Sequence, residues 1–230
     1  MQSEKITDSR NVSRRRYEDA CGAAHALDLV GERWALLVIR ELMMGPKRFG
    51  DIKAGLPGIS ANVLTQRLEG LEAAGVLVRR RLPPPASAQV YELTPWGYEA
   101  EPIFQTLGRW AARSPSHDPS LPLSAVSLML SFRTMFDPDR AEGLEAKVGL
   151  RIGAESFVVN IDGDVLTAGR GDATCTDVVL TGPAPVIAAA VYGGVPLADL
   201  AGALKVEGDQ GLARRFLTLF PLPPKVGAEP

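Results

Sequence analysis

The chain has 230 residues, of which 46% are hydrophobic and 23% charged, so it can bury one large core or two smaller ones. Its net charge of −2 is uneven, because residues 1–113 carry 16 basic and 13 acidic side chains whereas residues 114–230 carry 9 and 14. The sequence contains no apolar run of about 18 residues, no apolar signal core and only two cysteines, so we expect a cytoplasmic protein with no membrane contact, metal site or cofactor.

Two folded units joined by a linker are predicted. Residues 114–122 contain three prolines and three serines, a composition typical of an extended connection. We therefore expect a polar arm at 1–16, a first domain at 17–113, a second domain at 123–222 and a tail at 223–230.

The first domain opens with two predicted helices. Residues 18–30 are small and apolar at helical spacing, and Gly31 can end that helix. Residues 32–44 are apolar on nearly every side and are followed by Gly45 and a proline. Because a helix that is apolar all round is normally buried, the second helix is expected at the centre of the domain.

A helix-turn-helix is predicted next. A short helix begins at Phe49 and breaks at residues 56–59, and Ser60 can then cap a helix that runs to Gly75. Amide and hydroxyl side chains on its outer side would suit base edges in the major groove. That outer side holds Asn62, Thr65, Gln66 and Glu69.

A wing and a final helix complete the domain. Residues 76–82 and 88–93 predict a hairpin whose three consecutive arginines, Arg79, Arg80 and Arg81, can reach phosphates or a minor groove. Thr94-Pro95 then opens a helix with more apolar surface than a small domain needs inside, which suggests a dimer contact. The residues of that surface are Ile103, Phe104, Leu107, Trp110 and Ala111.

A polar helix face or a run of arginines taken alone is also typical of an ordinary solvated surface. The order of the elements favours DNA binding, and so does a resemblance. The motifs "GERW", "GPKRFGDI", "GIS…VLTQRLEGLEAAGVL" and "YELTPWG", together with a cysteine opening the first helix, resemble the HxlR family of winged-helix bacterial regulators, relatives of the MarR type. The resemblance spans about residues 17–113, although Gly22-Ala23 follows the cysteine where the family usually has Pro-Val or Pro-Ile.

This resemblance implies a homodimer on a pseudo-palindromic operator in double-stranded DNA. It places the recognition helix at Ser60 to Gly75 and the wing at Val76 to Leu93. The residues predicted to bind DNA are Lys47, Arg48, Ser60, Asn62, Thr65, Gln66, Arg67, Arg79, Arg80 and Arg81. Some family members sense oxidants or electrophiles through the cysteine at the position of Cys21; the alternative is a small buried residue packed against the dimer helix.

The second domain is predicted to be α+β with a five-stranded sheet. Helices are expected at 124–136, 183–194, 196–201 and 208–220, with strands at 147–152, 155–162, 165–169, 177–181 and 204–207. The order of elements, and the ending "GALKVEGD" before an apolar helix, resemble sterol carrier protein type 2, which implies a cavity for an apolar ligand. Its candidate lining residues, which could equally be plain core, are Phe132, Phe136, Val186, Ile187, Val191, Leu200, Phe216 and Leu219.

The sequence contains no nucleophile elbow, phosphate loop or metal-ligand cluster, so we expect no enzymatic activity. It predicts a transcriptional regulator that binds DNA as a homodimer and responds to a small apolar ligand. Two alternatives stay open: a lipid carrier whose winged helix mediates protein contacts, and a repressor switched through Cys21.

Overall fold

A computed structural model describes residues 17–85 and 87–227, so the predicted arm at 1–16 lies outside the described residues. The N-terminal unit contains, in chain order, α1 (Gly22–Val30), α2 (Ala35–Leu42), α3 (Phe49–Ala54), α4 (Ala61–Ala73), β1 (Leu77–Arg81), β2 (Gln89–Leu93), α5 (Pro95–Tyr98) and α6 (Glu101–Ala112). The C-terminal unit contains α7 (Ala125–Met135), α8 (Pro138–Ala141), β3 (Glu145–Ile152), β4 (Glu155–Asp162), β5 (Val165–Arg170), a 3-10 helix (Ala173–Cys175), β6 (Val178–Thr181), α9 (Ala184–Tyr192), β7 (Lys205–Gly208) and α10 (Gln210–Leu217).

Helix α2 is the central helix of the N-terminal unit, as its composition predicts. Val38, Ile39 and Leu42 are fully enclosed. The helix is shorter than expected because Trp34 has a left-handed backbone, with φ of 78°, which a continuous right-handed helix excludes. The helix therefore starts at Ala35.

The predicted helix-turn-helix is confirmed. Ser60 precedes α4, and its hydroxyl accepts a hydrogen bond from the Val63 backbone N–H at 3.3 Å. Leu64, Leu68 and Leu71 lie one helical turn apart and are buried against the rest of the unit. This packing fixes which side of α4 faces outward.

Strands β1 and β2 form the predicted antiparallel wing. The helix after the wing is divided, in contrast to the prediction of one continuous helix. Thr94 caps α5 by accepting from the Gly97 N–H at 3.0 Å, and α6 begins anew at Glu101. Pro102 accounts for the break, because proline has no N–H and its ring excludes the helical carbonyl four residues earlier.

The C-terminal unit contains the predicted five-stranded sheet, in the order β5-β4-β3-β6-β7. Strands β3 and β6 run parallel, and the other neighbours run antiparallel. Gly163, with φ of 57°, makes the turn between β4 and β5, which is a position that glycine takes without strain. Helices α7 and α10 pack on the sheet. The likeness to sterol carrier protein type 2 stays a prediction.

One predicted helix in this unit is wrong. Residues 196–201 form consecutive turns, in which Asp199 donates to the Pro196 carbonyl and Leu200 to the Leu197 carbonyl. These i to i+3 bonds are tighter than α-helical ones and rarely propagate. Conversely, the short helix α8 was not predicted.

The two units share an extensive contact. Helix α7 packs on both α2 and α6, and Arg133 of α7 donates to the Glu101 carboxylate of α6 at 2.7 Å. The predicted tail returns to the end of α6, where the Lys225 ammonium donates to the carbonyls of Ala112 and Ser114 at 3.0 Å each. No helix within residues 17–85 and 87–227 is long and apolar enough to cross a lipid bilayer.

Candidate nucleic-acid interface

Asn62, Thr65 and Gln66 lie on the outer face of α4 and are exposed. Their side chains form no hydrogen bond with any other residue that the structure describes. Amide and hydroxyl groups that are both solvated and unpaired within the protein can bind base edges without breaking an internal contact. Ser60, at the start of the helix, is exposed as well, although its hydroxyl also serves as the cap.

Arg67 was predicted to bind DNA, but the structure ties its guanidinium to the N-terminal unit itself. Its Nε donates to the Arg33 carbonyl and one terminal nitrogen donates to the Glu32 carboxylate, both at 2.9 Å. Its side chain is only 18% exposed. Arg67 therefore holds α4 to the turn before α2.

The wing arginines are all exposed. The Arg79 guanidinium pairs with Glu72 at 3.1 Å and lies over the Tyr91 ring, and Arg80 pairs with Glu92. Arg81 has no carboxylate within ion-pair distance in the described part of the chain. The three arginines line an open concavity of about 430 Å³ that contains no acidic side chain, which gives it the charge to attract an anion.

Lys47 was also predicted to bind DNA, but the structure encloses its side chain. Its side chain is 5% exposed, and its ammonium lies 3.0 Å from Glu41 and 3.4 Å from Glu155. An ammonium enclosed between two carboxylates cannot reach a phosphate without leaving both. Arg48, the next residue, is exposed and its side chain stays a candidate phosphate contact.

The outer surface of α1 and α6 is unusually apolar. Leu27 is 52% exposed, Ile103 53%, Leu107 44% and Trp110 71%, whereas the predicted Phe104 and Ala111 are half-buried. Helix α1 has no buried residue at all. Such a patch on one chain is typical of a surface that another protein covers.

Cys21 lies immediately before α1 and is exposed in the single chain. Its burial against the dimer helix stays a prediction, because that contact needs a second chain. Backbone N–H groups of Ala23 and Ala24 stabilise its thiolate and hold the pKa of the thiol below its ordinary value. A thiol in this state is more reactive near neutral pH than an ordinary one.

Four of the eight residues predicted to line a ligand cavity are buried core, and the other four, Phe136, Val186, Val191 and Leu200, are half-buried against it. Phe132 and Phe216 pack together with Phe220 at ring-centroid distances of 4.5 to 5.4 Å, and Ile187 and Leu219 are fully buried. These side chains fill the space between sheet and helices.

An open cavity of about 630 Å³ lies beside this core, and Val191 is the one predicted residue in its wall. Arg140 and Arg214, which were not predicted, line it together with Leu197, Leu217 and Leu222. In the sequence, each of these arginines stands beside apolar residues of a short helix, Arg140 in α8 and Arg214 in α10. Nothing in the sequence showed that the two helices lie next to each other.

The N-terminal unit has the fold of a winged helix-turn-helix protein. Helix α4 is held by a buried leucine row, the arginine-bearing hairpin lies beside it, and the central helix α2 lies beneath. A sequence profile of HxlR-like helix-turn-helix proteins matches residues 29–118. The uncharacterised HTH-type transcriptional regulator YvaP of Bacillus subtilis is 37% identical over 86 residues, which are 37% of this chain and 80% of that protein. The HTH-type transcriptional regulator YodB of the same organism is 40% identical over 86 residues, covering 37% of this chain and 77% of YodB.

The chain therefore belongs to the HxlR-like helix-turn-helix family of transcriptional regulators. A solved structure of reduced YodB from B. subtilis covers 44% of this chain and 100% of its own, with 35% identity and a TM-score of 0.39. These matches concern the N-terminal unit.

Proposed function

We propose that the protein represses or activates transcription by binding a pseudo-palindromic operator as a homodimer, with α4 in the major groove and the wing on the flanking backbone. The observation that carries the proposal is the trio of exposed, internally unpaired side chains Asn62, Thr65 and Gln66 beside a wing with three exposed arginines. Base-edge contacts would supply specificity, and phosphate contacts would supply affinity.

Binding of duplex DNA as a function of salt tests this proposal. The logarithm of the binding constant should fall linearly with the logarithm of salt concentration, because neutralised phosphates release counterions. In vitro selection from a random duplex library should recover an inverted repeat. The alternative function, a lipid carrier whose winged helix contacts proteins, predicts no binding that depends steeply on salt.

The proposed dimer would bury the apolar surface of α1 and α6. We expect Leu107→Asp to weaken dimerisation by about 2 kcal/mol or more, because the change places a charge in a desolvated contact. Sedimentation equilibrium measures the loss. Leu107 is 44% exposed in the single chain, so folding should be unaffected. The matched control is Val165→Asp, which puts the same charge at a 60% exposed apolar position on the other unit. Equal behaviour of the two variants would contradict the assignment of this surface.

The open cavity of the C-terminal unit is the site we propose for a small, mainly apolar ligand. Its leucine and valine wall suits an alkyl chain, and the guanidiniums of Arg140 and Arg214 suit an anionic end. We expect dodecanoate to bind in calorimetry and dodecyltrimethylammonium not to. Ala198→Trp should abolish the binding, because Ala198 is an exposed position in the cavity wall.

Regulation requires more than occupancy, because a ligand shifts DNA affinity only if it binds the competent and incompetent states differently. Dodecanoate should therefore change the operator affinity of the full chain and leave that of Ala198→Trp unchanged. If it fills the cavity while operator affinity stays constant, the C-terminal unit is a carrier or a structural part.

A second candidate function, sensing of electrophiles, is supported by the exposure and hydrogen bonding of Cys21. In a Cys175→Ser variant, the rate of alkylation by iodoacetamide should rise with pH to a midpoint below that of the same chain unfolded in urea. The sign follows because the thiolate is the nucleophile and the folded state lowers its pKa. Identical midpoints in the two states would remove the basis for this candidate.

A further inference from the structure

Glu41 and Lys47 are the only charged residues buried within the described part of the chain. One Glu41 oxygen accepts from the Lys47 ammonium at 3.0 Å, and the other accepts from Arg40 at 3.0 Å and from the Ser124 hydroxyl at 2.6 Å. Gly55 makes room for this carboxylate, since a Cβ there would collide with Glu41 Oε2. Both oxygens are satisfied, which is the condition under which a buried charge pair can persist.

Lys47 connects three parts of the molecule. Its backbone N–H donates to the Tyr91 carbonyl at 3.0 Å, and its own carbonyl accepts from the Tyr91 N–H at 2.9 Å, so it extends the wing sheet beyond β2. Its side chain reaches Glu41 of α2 and also Glu155, the first residue of β4 in the C-terminal unit. Glu155 is held in turn by Arg170 at the end of β5.

We propose that Lys47 and Glu155 are positioning residues through which the C-terminal unit sets the place of the wing on DNA; this inference rests on the proposed DNA-binding function. Tyr91, which Lys47 holds from one side, is paired in the wing with Arg79 on the other side. A shift of Lys47 therefore moves β2, and with it the paired strand β1 that contains the wing arginines. Neither positioning residue touches DNA itself.

Glu155→Gln tests the proposal without leaving a buried charge unpaired, because Lys47 keeps its ion pair with Glu41 and the other partner, Arg170, is 35% exposed. The matched control is Glu145→Gln, an exposed position at the far end of the same sheet. Electrostatics alone predicts that removing a carboxylate raises DNA affinity. The positioning role predicts the opposite for Glu155→Gln, a loss of about threefold to tenfold on the selected operator with a shallower salt dependence.

A double-mutant cycle separates positioning from a general loss of structure. In a chain carrying Arg79→Ala, Arg80→Ala and Arg81→Ala, Glu155→Gln should cause no further loss, because the wing side chains that it positions have been removed. An equal loss in both backgrounds, or an unchanged affinity and salt slope in Glu155→Gln alone, would overturn the proposal while leaving DNA binding intact. Absence of duplex binding by the unmodified chain would instead refute the proposed function itself.

Discussion

Replacing Arg79, Arg80 and Arg81 together with alanine should weaken binding to every duplex, whatever its sequence, by roughly tenfold or more at low salt. The salt slope should fall by about one unit for each phosphate that the protein no longer neutralises, and by fewer than three units in total. Arg79 and Arg80 already pair with Glu72 and Glu92, so part of their charge is neutralised before DNA arrives. Fluorescence anisotropy on a random-sequence and an operator duplex, at several salt concentrations, measures both effects.

Single variants should rank the arginines. Arg81→Ala should cost more than Arg80→Ala, because Arg81 has no ion-pair partner among the described residues. Lys205→Ala is the control for removal of a positive charge, since Lys205 is 67% exposed on β7 of the other unit. A salt slope that is unchanged in the triple variant would place the wing away from the DNA.

Gln66→Ala should lower affinity for the cognate operator by about 1–3 kcal/mol and affect random DNA far less. The amide of Gln66 is exposed on α4 and unpaired within the described chain, so its loss removes a base contact without disturbing the core. Competition binding with the two duplexes measures the difference. Gln210→Ala on α10 is the control for loss of an exposed amide on the other unit, where Gln210 donates to the Val206 carbonyl at 3.2 Å. Equal losses on both DNAs would contradict base reading by this residue.

The N-terminal fold could be predicted from the sequence because its signals are local. Ser60 as a cap and the leucine row of α4 each depend on residues within a few positions. The ion pairs of Lys47 and Arg67 could not be predicted in the same way. Arg67 pairs with the distant Glu32, and Lys47 is enclosed by the distant Glu155 as well as by Glu41 of the neighbouring helix. A basic residue in a DNA-binding motif gives no sign that its charge is already paired.

For the C-terminal unit, the sequence could predict the sheet but not the cavity. Its sheet follows from alternating strands and turn glycines such as Gly163. The cavity does not, because an apolar side chain that fills a core and one that lines a void have the same composition and spacing. Phe132 and Phe216 were predicted to face a ligand but face each other. The buried Glu41 was also missed, although a lone carboxylate in the apolar run of α2 was a visible exception to its surroundings.

After the C-terminal unit, the chain returns to the end of α6. The C-terminal unit departs from the winged helix after Ser114 and comes back to it at Lys225, which binds the Ser114 carbonyl. Its two ends are thus neighbours, as in units that tolerate insertion, transfer and permutation. The family match ends at residue 118, close to that junction. The C-terminal unit is therefore joined to the winged helix by the chain at one place, while helix α7 and the Lys47–Glu155 ion pair hold the two units together elsewhere.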